Sequence, residues 1–132
     1  MLDPIMLSKA FPCAFFAACF LQSSLDKVVD WKGNMDWLVH HFAKTPMKGA
    51  VPIMLGLLTL LEFSTGAVCL VATVTVLMHG AQMIPVLAMG LACFTLFCLF
   101  TGQRIAKDYA GAASLAAYSA VALVGLYLQS QR

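Results

Sequence analysis

Glu62 is the side chain in this sequence with the most chemistry to account for, because it is the only acid or base in the apolar run from Pro52 to Met78. Counted from Pro52 at ~1.5 Å per helical residue, it stands about 15 Å into that run, near the midplane of a bilayer. A charged carboxylate at that depth costs at least ~2.5 kcal/mol, so the position calls for a partner, a proton or a task. Asp26, Lys27 and Asp30 close the first apolar run, and Arg104, Lys107 and Asp108 follow the third. Lys27 or Arg104 is long enough to reach inward toward Glu62. One use of such a cluster is a polar pocket that takes a headgroup or a quinone carbonyl, or passes a proton. The other is an internal ion-pair network that locks the helices. A neutral Glu62 hydrogen-bonded by Thr59, Ser64, Thr65 or a neighbouring span is also compatible with the sequence.

Other chemistry is poorly represented. His40 and His41 are adjacent and would point about 100° apart on a helix, so they do not converge on one metal. No histidine lies deep within an apolar run, which argues against haem ligation inside the chain. Cys13, Cys19, Cys69, Cys93 and Cys98 all fall in apolar runs without a CxxC pair, and read as small core residues. No nucleophile elbow, phosphate loop, zinc-protease or dinucleotide motif is present. The expectation is a chain with no catalytic set, no metal and no cofactor held by itself, quinone or lipid being the possible ligands. A formal charge of +2 with singly spread basic residues gives no footprint for nucleic acid.

The elements that must position Glu62 follow from composition. The chain has 132 residues, 61% hydrophobic and 11% charged, against roughly 25% charged in soluble domains. This predicts one integral membrane domain, all-α because backbone groups in lipid must be satisfied within each segment. Four spans are expected, at 6–25, 51–78, 83–101 and 111–128. Lys9 before Ala10–Leu21 has the look of a secretory leader. Asp3 and the poor cleavage site at Gln22–Asp26 favour a retained first span instead. A break is expected over 79–82.

Between the first two spans lies the one long polar stretch, with a short helix expected at 35–42 and Asn34 as its N-cap. Trp37, Leu38, His41 and Phe42 fall on one face of that helix, which suits an interfacial position. Trp31, Trp37, Phe42 and, after the third span, Tyr109 are the expected interfacial anchors. The last span is rich in small residues, with Ala113/Ala117 and Ala116/Ala120 at four-residue spacing. That face would pack on helices of its own bundle or of another subunit. An even number of spans puts Lys9 and Arg132 on one side. Lys27, Lys32, Lys44, Lys48, Arg104 and Lys107 fall on the other. This excess predicts that loops 26–50 and 102–110 face the cytoplasm.

Several of these residues together carry a resemblance. Lys27 follows the first span, an aromatic loop holds Trp37 and Phe42, the second span reads Leu61-Glu62-Phe63-Ser64-Thr65-Gly66, and the third loop contains Arg104-Ile105-Ala106-Lys107-Asp108-Tyr109-Ala110-Gly111-Ala112. Over most of its length, roughly 7–128, the chain resembles the DoxX-like family of small four-span bacterial membrane proteins. One departure is Ser23, four residues before Lys27, where the family often carries glycine near the end of its first span. The resemblance implies a compact four-helix bundle in the bacterial inner membrane. It also implies an accessory subunit, without catalysis of its own, in a redox or energy-converting and quinone-linked complex with larger membrane subunits. The alternatives are a stand-alone protein that binds or moves a small lipophilic molecule, and a purely structural helix-packing subunit.

Overall fold

Asp3 sets the first helix. Its carboxylate accepts a hydrogen bond from the Met6 amide at 2.9 Å, and Pro4 occupies the first helical turn, where its missing N–H costs nothing. The computed structural model describes residues 3–79 and 83–131. Its helices are α1 (Pro4–Val29), α2 (Trp31–His41), α3 (Val51–His79), α4 (Met83–Ile105) and α5 (Tyr109–Ser130), with a single 3-10 turn at Lys48–Ala50 before α3. No strand occurs among the described residues. The expected break over 79–82 lies, apart from His79, outside them, as does Arg132.

α1, α3, α4 and α5 are each long and apolar enough to cross a membrane. The helices outrun the apolar segments that announce them. α1 continues to Val29 and α4 to Ile105, because the polar residues beyond the apolar run keep the same helical spacing. α2 begins earlier than expected. Asp30, not Asn34, caps it by accepting from the Gly33 amide at 3.2 Å, while the Asn34 side chain donates to the Asp30 carbonyl at 2.9 Å.

α1 packs chiefly on α3, α3 on α4, and α4 on α5, with α5 returning to α1. This is the antiparallel order that short connections favour. Phe16, Met89, Cys13, Cys69 and Ala122 fill the centre. Thr65 and Thr95, both fully buried, share a hydroxyl–hydroxyl bond of 2.8 Å across α3 and α4. At one end, Lys9 Nζ donates to the Gln131 carbonyl at 2.7 Å, and Gln129 Nε2 to the Lys9 carbonyl at 2.6 Å. The start of α1 and the end of α5 therefore share one end of the bundle. At the other end, His41 Nε2 lies 2.7 Å from Gln103 Oε1 and 3.9 Å from Asp108 Oδ2, tying α2 to the turn between α4 and α5.

The outside is apolar. Leu57, Leu60, Phe94 and Phe97 are each more than half exposed, as lipid-facing positions are. The small-residue face of the last span lies outside as well. Ala113, Ala116, Ala117 and Ala120 are exposed, whereas α5 buries Ala112, Ala122, Gly125 and Gln129. Gly125 is required there, because a Cβ would come within 2.9 Å of Pro12 Cβ on α1. The packing expected of the last span within its own bundle is made by Ala112, Ala122 and Gly125, while Ala113, Ala116, Ala117 and Ala120 stay exposed.

Candidate functional site

The site is built from the crossing of α1 and α3. Gly66 permits that crossing, since a Cβ at this position would stand 2.9 Å from the backbone nitrogen of Leu21. Glu62 is one turn before Gly66 and so lies on the same face of α3, against the last turns of α1. Ser23 and Lys27, themselves one turn apart, meet it there. Ser23 Oγ donates to Glu62 Oε2 at 2.9 Å, and Lys27 Nζ donates to Ser23 Oγ at 2.8 Å. Lys27 Nζ also stands 2.7 Å from Glu62 Oε1. This second contact joins the charges without hydrogen-bond geometry, for Oε1 has no hydrogen-bond partner among the described residues. Glu62 is 2% exposed. The Ser23 hydroxyl thus bridges acid and base, and Gly66 permits the close approach of α1 and α3.

Two cavities meet at this cluster. A chamber of about 620 Å³, open to the outside of the bundle, is walled by Phe16, Phe20, Leu96 and Leu99, with Ser23, Asp26, Lys27, Glu62, Gln103 and Tyr118 supplying its polar surface. A groove of about 600 Å³ runs beside it, under α2 and along α3 and α4. Its lining is apolar, with Trp37, Leu38, Phe42, Leu58, Leu61 and Phe97 prominent. Lys27, Leu99, Gln103 and Leu115 line both spaces. Lys27 is thus the charged side chain at their common wall.

Not all of the expected cluster converges. Lys27 is at Glu62, and Asp26 lines the chamber from an exposed position. Arg104 is turned away, its guanidinium 4.8 Å over the Tyr109 ring. Asp108 caps α5, accepting from the Gly111 amide at 3.0 Å, and faces His41. Lys107 is exposed and has φ 61. It is the left-handed residue that ends α4: the Asp108 amide donates to the Gln103 carbonyl at 2.9 Å and the Lys107 amide to the Arg104 carbonyl at 3.1 Å, the Schellman pattern. The short third loop explains this. It needs Arg104, Lys107 and Asp108 to reverse the chain, so they cannot point at the membrane centre. Of the hydroxyls expected near Glu62, Thr59 is bonded to the Leu55 carbonyl at 2.6 Å, Thr65 to Thr95, and Ser64 is exposed.

The aromatic residues divide. Trp31 and Tyr109 are exposed, as anchors would be, and Trp37 is exposed on one side while its ring stacks on His41 at 4.4 Å. Phe42 is not an anchor. It is 4% exposed, because the end of α2 folds it inward toward Gly102, where a Cβ would lie 3.7 Å from the Phe42 ring. Ser23, His41 and Gln103 are the residues that sequence reasoning did not place in the site. The four-residue spacing of Ser23 and Lys27 is a signal for the first; the other two depend on a contact between distant loops.

No group of three His, Cys, Asp or Glu side chains with metal-binding proximity occurs among the described residues. Chemically, the arrangement offers a neutralised acid–base pair at the edge of a chamber with an aromatic wall, suited to holding a polar head. Comparison with protein-family models, with curated proteins and with solved structures finds no match. The fold and this geometry define the class, a multi-pass helical membrane protein with a buried ion pair beside an open cavity.

Proposed function

We propose that this chain is a DoxX-like accessory subunit of a redox or energy-converting, quinone-linked complex in the bacterial inner membrane, with loops 26–50 and 102–110 on the cytoplasmic side. The observation that carries this reading is the Lys27–Ser23–Glu62 cluster at the wall of a chamber of about 620 Å³. An ionisable side chain buried within a membrane span is by default a candidate functional site. The exposed small-residue face of α5 supports the subunit role, because Ala113, Ala116, Ala117 and Ala120 suit close packing on a larger membrane polypeptide. Catalysis then belongs to the partners, and the chain contributes a pocket and a docking face.

Gentle solubilisation, native gel separation and mass spectrometry of the band test it. The expected result is co-migration with larger membrane subunits, and an optical spectrum of the band with haem or flavin absorption. A homogeneous monomer or homodimer would contradict it. The second reading, a stand-alone protein binding a small lipophilic molecule, is favoured by one observation: chamber and groove are both formed within a single chain.

A further inference from the structure

The groove under α2 has a composition that selects its occupant. Among the described residues Lys27 is the only charged side chain in its lining, and the rest is aliphatic, aromatic or neutral polar. That lysine is already neutralised by Glu62 at 2.7 Å, and Asp26 stands in the adjoining chamber. The local charge is therefore zero or negative, and an anionic head would meet repulsion at the groove's end. An ammonium nevertheless has three N–H donors. One goes to Ser23 Oγ, and the contact with Glu62 Oε1 lacks hydrogen-bond geometry, which leaves at least one for a ligand oxygen. The Lys27 side chain is 14% exposed, so it is reachable.

We infer that the groove between α2, α3 and α4 binds a neutral amphiphile whose head is a carbonyl oxygen that accepts a hydrogen bond from Lys27, and whose chain lies along Leu58, Leu61 and Phe97 beneath Trp37. An ester lipid and a chain-bearing quinone share this chemistry; a fatty-acid anion does not. The inference holds whether or not the chain docks on a larger complex, so a failure here leaves the copurification result untouched.

The test uses the full chain in nanodiscs of neutral lipid, with Trp31→Phe so that Trp37 is the sole tryptophan. Bromine quenches indole on contact, so methyl dibromostearate and the dibromostearate anion serve as probes. The expected result is saturable quenching of Trp37 by the ester, at least about tenfold weaker for the anion. The Leu58→Phe variant, which narrows the groove and leaves the ion pair alone, should weaken ester binding. The joint variant Lys27→Met with Glu62→Gln, which removes the donor while keeping neutrality, should weaken it about tenfold or more, the loss expected for one charge-assisted hydrogen bond. If the joint variant fails to fold, Leu58→Phe decides. A decyl-substituted benzoquinone that displaces the ester at lower concentration than mono-olein assigns a quinone, and the reverse order assigns an ester lipid. Quenching that never saturates, that is equal for ester and anion, or that ignores Leu58→Phe would overturn the inference.

Discussion

Lys27 Nζ stands 2.7 Å from Glu62 Oε1, and Ser23 Oγ bridges the same two side chains at 2.8 and 2.9 Å. Two helices that begin at opposite ends of the bundle are joined here, one turn from Gly66, where a Cβ would meet the Leu21 backbone. The pair serves as a lock between α1 and α3 and as the polar wall of the chamber. Removing water from both ions offsets much of their attraction, so the pair adds little net stability. Breaking it is costly, because a charge is then left alone in a low-dielectric interior.

The bridge itself is testable. Ser23→Ala removes the acceptor for Lys27 and the donor for Glu62 together, and should destabilise the bundle by about 1–3 kcal/mol. Thermal unfolding in mild detergent, followed by far-ultraviolet circular dichroism, reads this. An unchanged Tm would mean that the hydroxyl is not in the network.

Gly66→Ala should cost about 1–3 kcal/mol through overpacking, because backbone rather than a flexible side-chain end stands 2.9 Å from the new Cβ. Gly56→Ala is the control. Nothing lies within 4 Å of its Cβ position, and alanine there should be neutral or stabilising by up to ~1 kcal/mol. The same unfolding assay compares them. Equal effects would argue against close α1–α3 packing.

Lys107 adopts φ 61 at the end of α4, a left-handed conformation that costs an L residue about 1–2 kcal/mol. Lys107→Gly should raise stability by up to about 1 kcal/mol, and Lys107→Val should lower it. Chemical denaturation of the two variants beside the parent provides the check; the opposite order would exclude the Schellman turn.

His41 holds α2 against the bundle through Gln103, and its ring stacks on Trp37. His41→Ala should free α2 locally. Hydrogen exchange measured by mass spectrometry is expected to speed up over residues 31–42, with α3 and α4 unchanged. Exchange unaltered in α2 would show that the His41 contacts do not hold it.

The fold was legible because lipid leaves few options. Apolar runs of the right length must be spanning helices, and the stretch from Asp26 to Gly49 was too polar to be a further span. Glu62 was legible for the same reason, as a charge where charge is expensive. Its partner was only half legible. Lys27 and Arg104 are equally long and flank the same end of the bundle, and what separates them is the Schellman turn at Lys107 and the Tyr109 ring beneath Arg104. Phe42 was misplaced because an aromatic near an interface and an aromatic folded under a helix end have the same sequence surroundings. The role of His41 depends on Gln103, 62 positions away, and no local pattern carries such a contact.

A double-mutant cycle on Lys27 and Glu62 tests the central claim most directly. Lys27→Met, Glu62→Gln and the joint variant are compared with the parent by unfolding in detergent. A buried pair predicts that Lys27→Met, which strands the carboxylate, costs about 3–5 kcal/mol, and that the joint variant recovers much of it, with a coupling of roughly 1–3 kcal/mol. Strictly additive effects, with coupling near zero, would contradict a buried Lys27–Glu62 pair.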